Sequence, residues 1–121
     1  MKLEDQQVSQ DLSRQLRDAG YPQEGLWWWR KNDNNTSYSL VNIGYGKDRN
    51  KFSAPTVAEL GEALPHLSKC WRSRNNSWIC EYTELPRPDN VLNITRTCLE
   101  ASTEADARAK MWLHLKREKL I

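Results

Sequence analysis

The segment that most constrains the fold is a helix that begins after Thr103. Thr103 is a favourable N-cap residue, and Glu104 and Asp106 follow in the first turn, where the helix dipole favours negative charge. Cations occupy the far end, namely Lys116, Arg117 and Lys119. Apolar residues recur at helical spacing as Ala105, Ala109, Trp112 and Leu113, with Leu115 close by. A helix with such a stripe needs an apolar layer to cover it.

A second helix is indicated within residues 54–65. Thr56 and Glu59 form a capping box, in which each side chain bonds the backbone N–H of the other residue. Its apolar face consists of Val57, Leu60 and Leu64. Pro65 ends this short helix, and packing must stabilise it because isolated helices of this length are marginal in water.

A first helix is predicted over residues 5–19. Its apolar residues recur at helical spacing as Val8, Leu12, Leu16 and Ala19. Gly20 followed by Pro22 favours a helix end at this point. The chain therefore begins and ends with helices that each have one apolar face.

Four segments have the composition or the alternation of strands. They are residues 26–30, 38–43, 77–83 and 91–99. Residues 44–53 are polar and basic, so we expect an exposed connection there, and two prolines make residues 85–90 a loop. The resulting order, α-β-β-α-β-β-α, predicts an α+β fold in which an antiparallel sheet of about four strands carries helices on one face.

The length of the chain indicates one core. A chain of 121 residues has the size of a single domain, and we expect one α+β domain over residues 1–121. The hydrophobic fraction is only 38%, but the chain contains 6 Trp and 4 Tyr. Each buried aromatic side chain removes roughly 150–250 Å² from water. A few of them can therefore fill a small core.

The charge balance argues against a dedicated polyanion binder. The 18 basic and 16 acidic residues give a net charge of +2. No apolar run reaches the ~18–20 residues that cross a bilayer, and the polar first 11 residues lack the apolar stretch of a signal peptide. We therefore expect a cytoplasmic protein with no membrane partner.

The cysteines give no strong signal for a metal or a disulfide framework. Cys70, Cys80 and Cys98 form no CxxC pair, and the only histidines are His66 and His114. Cys80 lies in the strand predicted over residues 77–83, where a buried free thiol is the simplest interpretation. We predict no cofactor, no metal and no catalytic residue.

An aromatic cluster beside two cations supports an alternative function. Trp27, Trp28 and Trp29 precede Arg30 and Lys31, a combination that stacks and holds single-stranded nucleic acid. Strand alternation sends Trp28 to one face and the other two to the opposite face, so we expect two of the three in the core. The alternative is a small nucleic-acid-binding regulatory protein that uses a Trp, Arg and Lys surface.

Three stretches share their order with a known group of proteins. They are the helix and turn over residues 8–25, the capped segment 54–65, and the start of the last helix, Thr103-Glu104-Ala105-Asp106. Together they resemble short uncharacterised proteins encoded by tailed bacteriophages and prophages. The resemblance implies a cytosolic accessory protein of a mobile element and gives no residue a role.

The function that we predict is non-catalytic binding of a host protein by a phage or prophage accessory protein, for example to inhibit a host defence system. Trp and Arg are enriched among the residues that contribute most binding energy. The candidate contacts are Trp28, Arg30, Lys31, Lys47, Arg49, Lys51, Trp71, Arg72 and Arg74. The sequence leaves the oligomeric state open, and it does not decide whether the basic residues share one face.

Overall fold

The computed structural model describes residues 6–25, 27–31, 37–41, 51–65, 68–84 and 95–121. Within these ranges the chain forms an α+β fold in the order α-β-β-β-α-β-β-β-α. The helices are α1 (Gln10–Asp18), α2 (Val57–Ala63) and α3 (Glu104–Arg117). The strands are β1 (Trp28–Lys31), β2 (Tyr38–Val41), β3 (Lys51–Ser53), β4 (Ser68–Arg72), β5 (Trp78–Glu84) and β6 (Thr95–Ala101).

The strands form two antiparallel sheets rather than the one sheet of about four strands that the sequence predicted. The first sheet has the order β2-β1-β3 and the second has the order β4-β5-β6. The difference arises from β3 and β4, which the sequence patterns did not reveal. The exposed connection predicted over residues 44–53 is wrong at its end, because Phe52 and Ser53 are buried in β3. Residues 44–50 lie outside the described residues.

Several predicted boundaries shift at the ends of elements. α1 begins at Gln10 because the preceding residues are extended, with Gln7 bridged to Thr56 and the Val8 N–H bonded to the Pro55 carbonyl. β6 begins at Thr95 and continues to Ala101, beyond the predicted end at residue 99. Residues 5, 26, 42–43 and 91–94 of the predicted elements, and the predicted loop 85–90, lie outside the described residues.

Helix α3 is the centre of the core. It packs across the second sheet and also contacts α1 and α2. Ala105, Ala107 and Ala109 are fully buried, and their small side chains allow the backbone of α3 to come close to its neighbours. The Tyr21 ring meets the Trp112 ring edge-on, with 5.2 Å between the centroids. The stripe predicted from the sequence is therefore buried as expected.

The first sheet packs against α1 and the segment that follows it. The Trp29 indole N–H donates to the Val8 carbonyl at 2.9 Å, and Arg14 lies over the Phe52 ring. The face of the sheet that contains Trp29 and Phe52 therefore packs against α1 and the residues before it. On the opposite face, the Trp28 indole N–H donates to the Gly25 carbonyl at 3.1 Å. Trp28 and Trp29 lie on opposite faces of β1, as the alternation predicts, and Trp28 is buried; Trp27 precedes the strand.

Candidate functional site

The second sheet has two faces with different surroundings. Alternate side chains of β4, β5 and β6 pack toward α3, namely Cys70, Trp78, Cys80, Tyr82, Leu99 and Ala101. The intervening residues lie on the opposite side because successive side chains in a strand alternate. We call this side the outer face; it consists of Lys69, Trp71, Ile79, Glu81, Thr83, Arg96, Cys98 and Glu100.

An apolar pair lies on the outer face. Trp71 on β4 stands directly opposite Ile79 on β5, and side chains paired in this way contact each other across the strands. Trp71 is 37% exposed, and among the described residues Ile121, at 41%, is the other large hydrophobic side chain with such exposure. A folded domain does not need to expose a tryptophan for its stability, so Trp71 is a candidate contact residue.

The charges of the outer face are balanced. Lys69 stands opposite Glu81, and Lys69 Nζ lies 5.7 Å from the centroid of the Trp71 ring. Arg96 and Glu100 lie on β6 and add one charge of each sign. The face therefore combines an apolar centre with cations and anions, which suits a protein surface better than a phosphate backbone.

The turn between β4 and β5 carries another candidate contact beside this face. The Ser73 N–H donates to the Ser77 carbonyl at 2.7 Å, and the hydroxyls of the two serines are hydrogen-bonded at 2.7 Å. The Ser77 hydroxyl also donates to the Glu100 carboxylate of β6. These bonds fix the turn, and Arg74 is exposed within it. The turn that carries Arg74 is thereby tied to β6.

Arg72 belongs to the other side of the sheet. It is the register partner of Trp78, which packs toward α3, and it is exposed where β4 ends. Its guanidinium lies 3.4 Å from the Asn76 side-chain oxygen. Of the three candidates in this part of the sequence, the structure places Trp71 on the outer face and Arg74 in the exposed turn between β4 and β5.

The candidates in the first sheet have different environments. The prediction that Trp28 is an exposed contact is wrong, because the side chain is only 9% exposed and Lys51 Nζ lies 4.6 Å from its ring centroid. Arg30 is exposed on β1 directly opposite Lys51 on β3, and Lys31 is half-buried. Lys47 and Arg49 lie outside the described residues. The predicted contacts are thus divided between two sheets.

Sequence reasoning missed Lys69, Ile79 and Glu81 as members of one surface. The alternation over residues 77–83 separates Ile79 and Glu81 from their buried neighbours, and this signal was present in the sequence. The missing information was β4, whose register brings Trp71 and Lys69 opposite those two residues. Strand register depends on partners that a local pattern does not identify.

A cleft of about 540 Å³ lies where α1, α3 and β6 meet. It is lined by Ser9, Asp11, Leu12, Gln15, Leu99, Asp106, Lys110, Leu113, His114 and Arg117. The Ser9 N–H donates to Asp106 Oδ1 at 2.7 Å, and Lys110 Nζ donates to the Glu100 carbonyl at 2.8 Å. Burial raises the pKa of Asp106, whereas the bond from Ser9 lowers it. Two of the charged groups in the cleft therefore connect elements of the fold.

The described residues contain no group of three or more His, Cys, Asp or Glu side chains arranged to hold a metal ion. No helix in the described ranges is long and apolar enough to span a membrane. Within the described residues, the outer face carries the exposed Trp71, and the fold that presents it is α+β. No protein family, characterised protein or solved structure matches the chain.

Proposed function

We propose that the protein is a non-catalytic binding domain that contacts another protein through the outer face. The observation that supports this most is the exposed Trp71 side chain, paired with Ile79 and surrounded by charges of both signs. On the resemblance to bacteriophage and prophage proteins, the partner is a host protein, such as a component of a defence system.

The chemistry of the outer face is that of a contact centre. Tryptophan is enriched among residues whose truncation costs about 2 kcal/mol or more of binding free energy. Such residues lie in the middle of an interface, where surrounding side chains exclude water. Lys69 and Glu81 lie beside Trp71 and Ile79 on the same face, as polar residues flank the apolar centre of an interface.

Two charged groups of the cleft between α1 and α3 have structural partners. Asp106 accepts a hydrogen bond from the backbone N–H of Ser9, the N-cap residue of α1, and Lys110 donates one to the Glu100 carbonyl of β6. Asp11, His114 and Arg117 also line the cleft. For Asp106 and Lys110 these bonds favour a structural role over acid–base or electrostatic catalysis.

One observation favours nucleic-acid binding as a second candidate function. Arg30 and Lys51 stand directly opposite each other in the β1–β3 pair. Two neighbouring cations in one strand pair are the kind of group that contacts the phosphates of a nucleic acid. This alternative is therefore located in the first sheet and not on the outer face.

Affinity capture tests the proposal with a matched control. Purified wild-type protein, Trp71→Ala and Ile121→Ala are used as baits in a lysate of a bacterial host. The two variants each remove one exposed large hydrophobic side chain, but only Trp71 belongs to the outer face. We expect the wild type and Ile121→Ala to retain the same protein and Trp71→Ala to lose it. Equal capture by Trp71→Ala, or no capture by the wild type, would contradict the proposal.

A gel-shift assay decides the alternative independently. Short single- and double-stranded DNA and RNA are mixed with the wild type and with an Arg30→Ala/Lys51→Ala variant at physiological salt. A shift that disappears at high salt and in the double variant would identify nucleic acid as the partner. We expect no such shift, because the binding surface that we propose carries balanced charge.

A further inference from the structure

Cys70 and Cys80 form a pair that the proposed function does not use. They stand directly opposite each other in the β4–β5 pair, and both pack toward α3. Both thiols are free. Cys80 is fully buried and Cys70 is half-buried, so only one of the two is accessible to a reagent.

The register places this pair at a non-hydrogen-bonded position. The Ser73 N–H bonds the Ser77 carbonyl, so the Ser73–Ser77 pair is hydrogen-bonded. Hydrogen-bonded and non-hydrogen-bonded pairs alternate along antiparallel strands, and Cys70–Cys80 is therefore of the second kind. The Cα atoms of such pairs are about 4.5 Å apart, which lies within the range of about 4.4–6.8 Å for disulfides.

The two thiols are chemically different. The interaction between the two thiols lowers the pKa of Cys70 and raises the pKa of Cys80. Burial opposes the first effect and adds to the second. Because the thiolate is the nucleophile, Cys70 is the better attacking thiol of the pair.

A guanidinium and a carboxylate lie near the pair and act on both thiols in the same direction. The positive charge of Arg108 lowers the pKa of Cys70 and of Cys80, whereas the carboxylate of Glu104 raises both. Arg108 Nε is buried and, within the described part of the chain, has no hydrogen-bond acceptor; Glu104 Oε2 is 3.8 Å away. The guanidinium is held against α2, since a Cβ atom at Gly61 would lie 2.7 Å from Arg108 Nη1. Its charge is thus fixed in the vicinity of the thiols.

We propose that Cys70 and Cys80 are a redox-active dithiol that low-molecular-weight disulfides oxidise to an intramolecular disulfide. The Cys70 thiolate attacks one sulfur of the oxidant, forming a mixed disulfide and releasing one thiolate. Cys80 then loses its proton and attacks Cys70 Sγ, which expels the second thiolate of the oxidant. Two protein thiols are oxidised, one disulfide is reduced, and the released thiolates take up the two protons.

Cys98 provides an internal control. It is exposed on the outer face, and its thiol lies 3.6 Å from Glu81 Oε2. Desolvation, together with this carboxylate, raises the pKa of Cys98. If accessibility alone governed the reaction, Cys98 would react first. The proposal requires the less accessible Cys70 to react first.

The folded protein is treated with oxidised glutathione at neutral pH. Mass spectrometry and peptide mapping then identify the products. We expect wild type and Cys98→Ser to lose two hydrogens and to give a Cys70–Cys80 cross-linked peptide. Cys70→Ser loses this product. Cys80→Ala accumulates glutathione on Cys70, because the resolving thiol is missing. Circular dichroism confirms that each variant is folded.

The peptide map of the wild type tests the proposal even if a variant does not fold. Modification of Cys98 alone overturns the proposal. So does a link that includes Cys98, or the survival of both Cys70 and Cys80 as free thiols under conditions that oxidise the denatured chain. The proposal does not depend on the identity of the partner or on the proposed function, and either can fail without the other.

Discussion

The indoles of Trp28 and Trp71 differ in what covers them. Trp28 donates to the Gly25 carbonyl, and Lys51 lies over its ring, so the segment before β1 and the neighbouring strand remove it from water. Trp71 contacts Ile79 and Lys69 within its own sheet. We assign the first indole to stability and the second to binding.

Truncation of each tryptophan tests this division. Trp28→Ala removes a buried aromatic side chain and should lower the free energy of unfolding by about 3–5 kcal/mol. Trp71→Ala should change it by less than about 1 kcal/mol, since surface substitutions have small effects. Urea denaturation followed by circular dichroism measures both values. A large loss for Trp71→Ala would mean that this side chain is structural.

Asp106 makes stability depend on pH in a defined direction. Its pKa is higher in the folded chain than in the unfolded chain, mainly because of burial. The folded state therefore binds this proton more tightly, and stability is lost as the pH rises through the folded pKa. The contribution is fully present only below the unfolded pKa of about 3.9.

Asp106→Asn removes the ionisation while keeping an oxygen that accepts the Ser9 N–H. We expect the variant to gain stability relative to the wild type at neutral pH, and this difference to disappear as the pH approaches 4. Chemical denaturation of both proteins across this pH range measures the difference. A difference that stays constant with pH would contradict the assignment.

At the scale of elements, the N-terminal caps of α2 and α3 were predicted well, whereas the start of α1 and the strands were predicted less well. Both N-caps are present, with Thr103 accepting from the Asp106 N–H and Thr56 forming its capping box with Glu59. Caps are local, because they join residues three apart. β3 has three residues with one large apolar side chain, Phe52, and becomes a strand only through its pairing with β1. No local pattern contains that partner.

The outer face was predicted from the sequence only in part. Trp71 was a candidate because tryptophan is enriched among residues that contribute most binding energy, although its exposure could not be read from the sequence. Its neighbours were not, since they are assembled by the β4–β5 register. Trp28 was misplaced because its cover comes from Gly25 and Lys51, which strand alternation alone does not reveal.

The capping box of α2 can be tested by one pair of substitutions. Thr56→Ala removes the acceptor of the Glu59 N–H and should lower the free energy of unfolding by about 1 kcal/mol. Thr56→Ser retains the hydroxyl and should lose much less. Denaturation curves of the two variants give the comparison, and equal losses would show that the hydroxyl does not stabilise the helix.

At the scale of the molecule, one core cluster joins the three helices to the second sheet, and the first sheet is attached to it through α1. α3 contacts the second sheet, α1 and α2, and α1 contacts β3 of the first sheet. Leu60 of α2 is fully buried in the same cluster as Leu16 of α1 and Leu115 of α3. This connectivity favours unfolding as one cooperative unit, as expected of a single domain.

Leu60→Ala tests this cooperativity. The substitution should lower the free energy of unfolding by about 2–5 kcal/mol, since it leaves a cavity in the shared core. Circular dichroism at helical wavelengths and tryptophan fluorescence should still report one coincident transition. Two separated transitions would show that the sheets and the helices do not unfold together.

The proposed binding function requires the outer face to be the contact surface, and an affinity measurement tests this requirement most directly. The captured protein, once purified, is titrated with wild type, Trp71→Ala and Ile121→Ala by calorimetry. We expect Trp71→Ala to weaken the Kd by about thirtyfold or more, corresponding to about 2 kcal/mol, and Ile121→Ala to leave it unchanged. Wild-type affinity in Trp71→Ala would contradict the account.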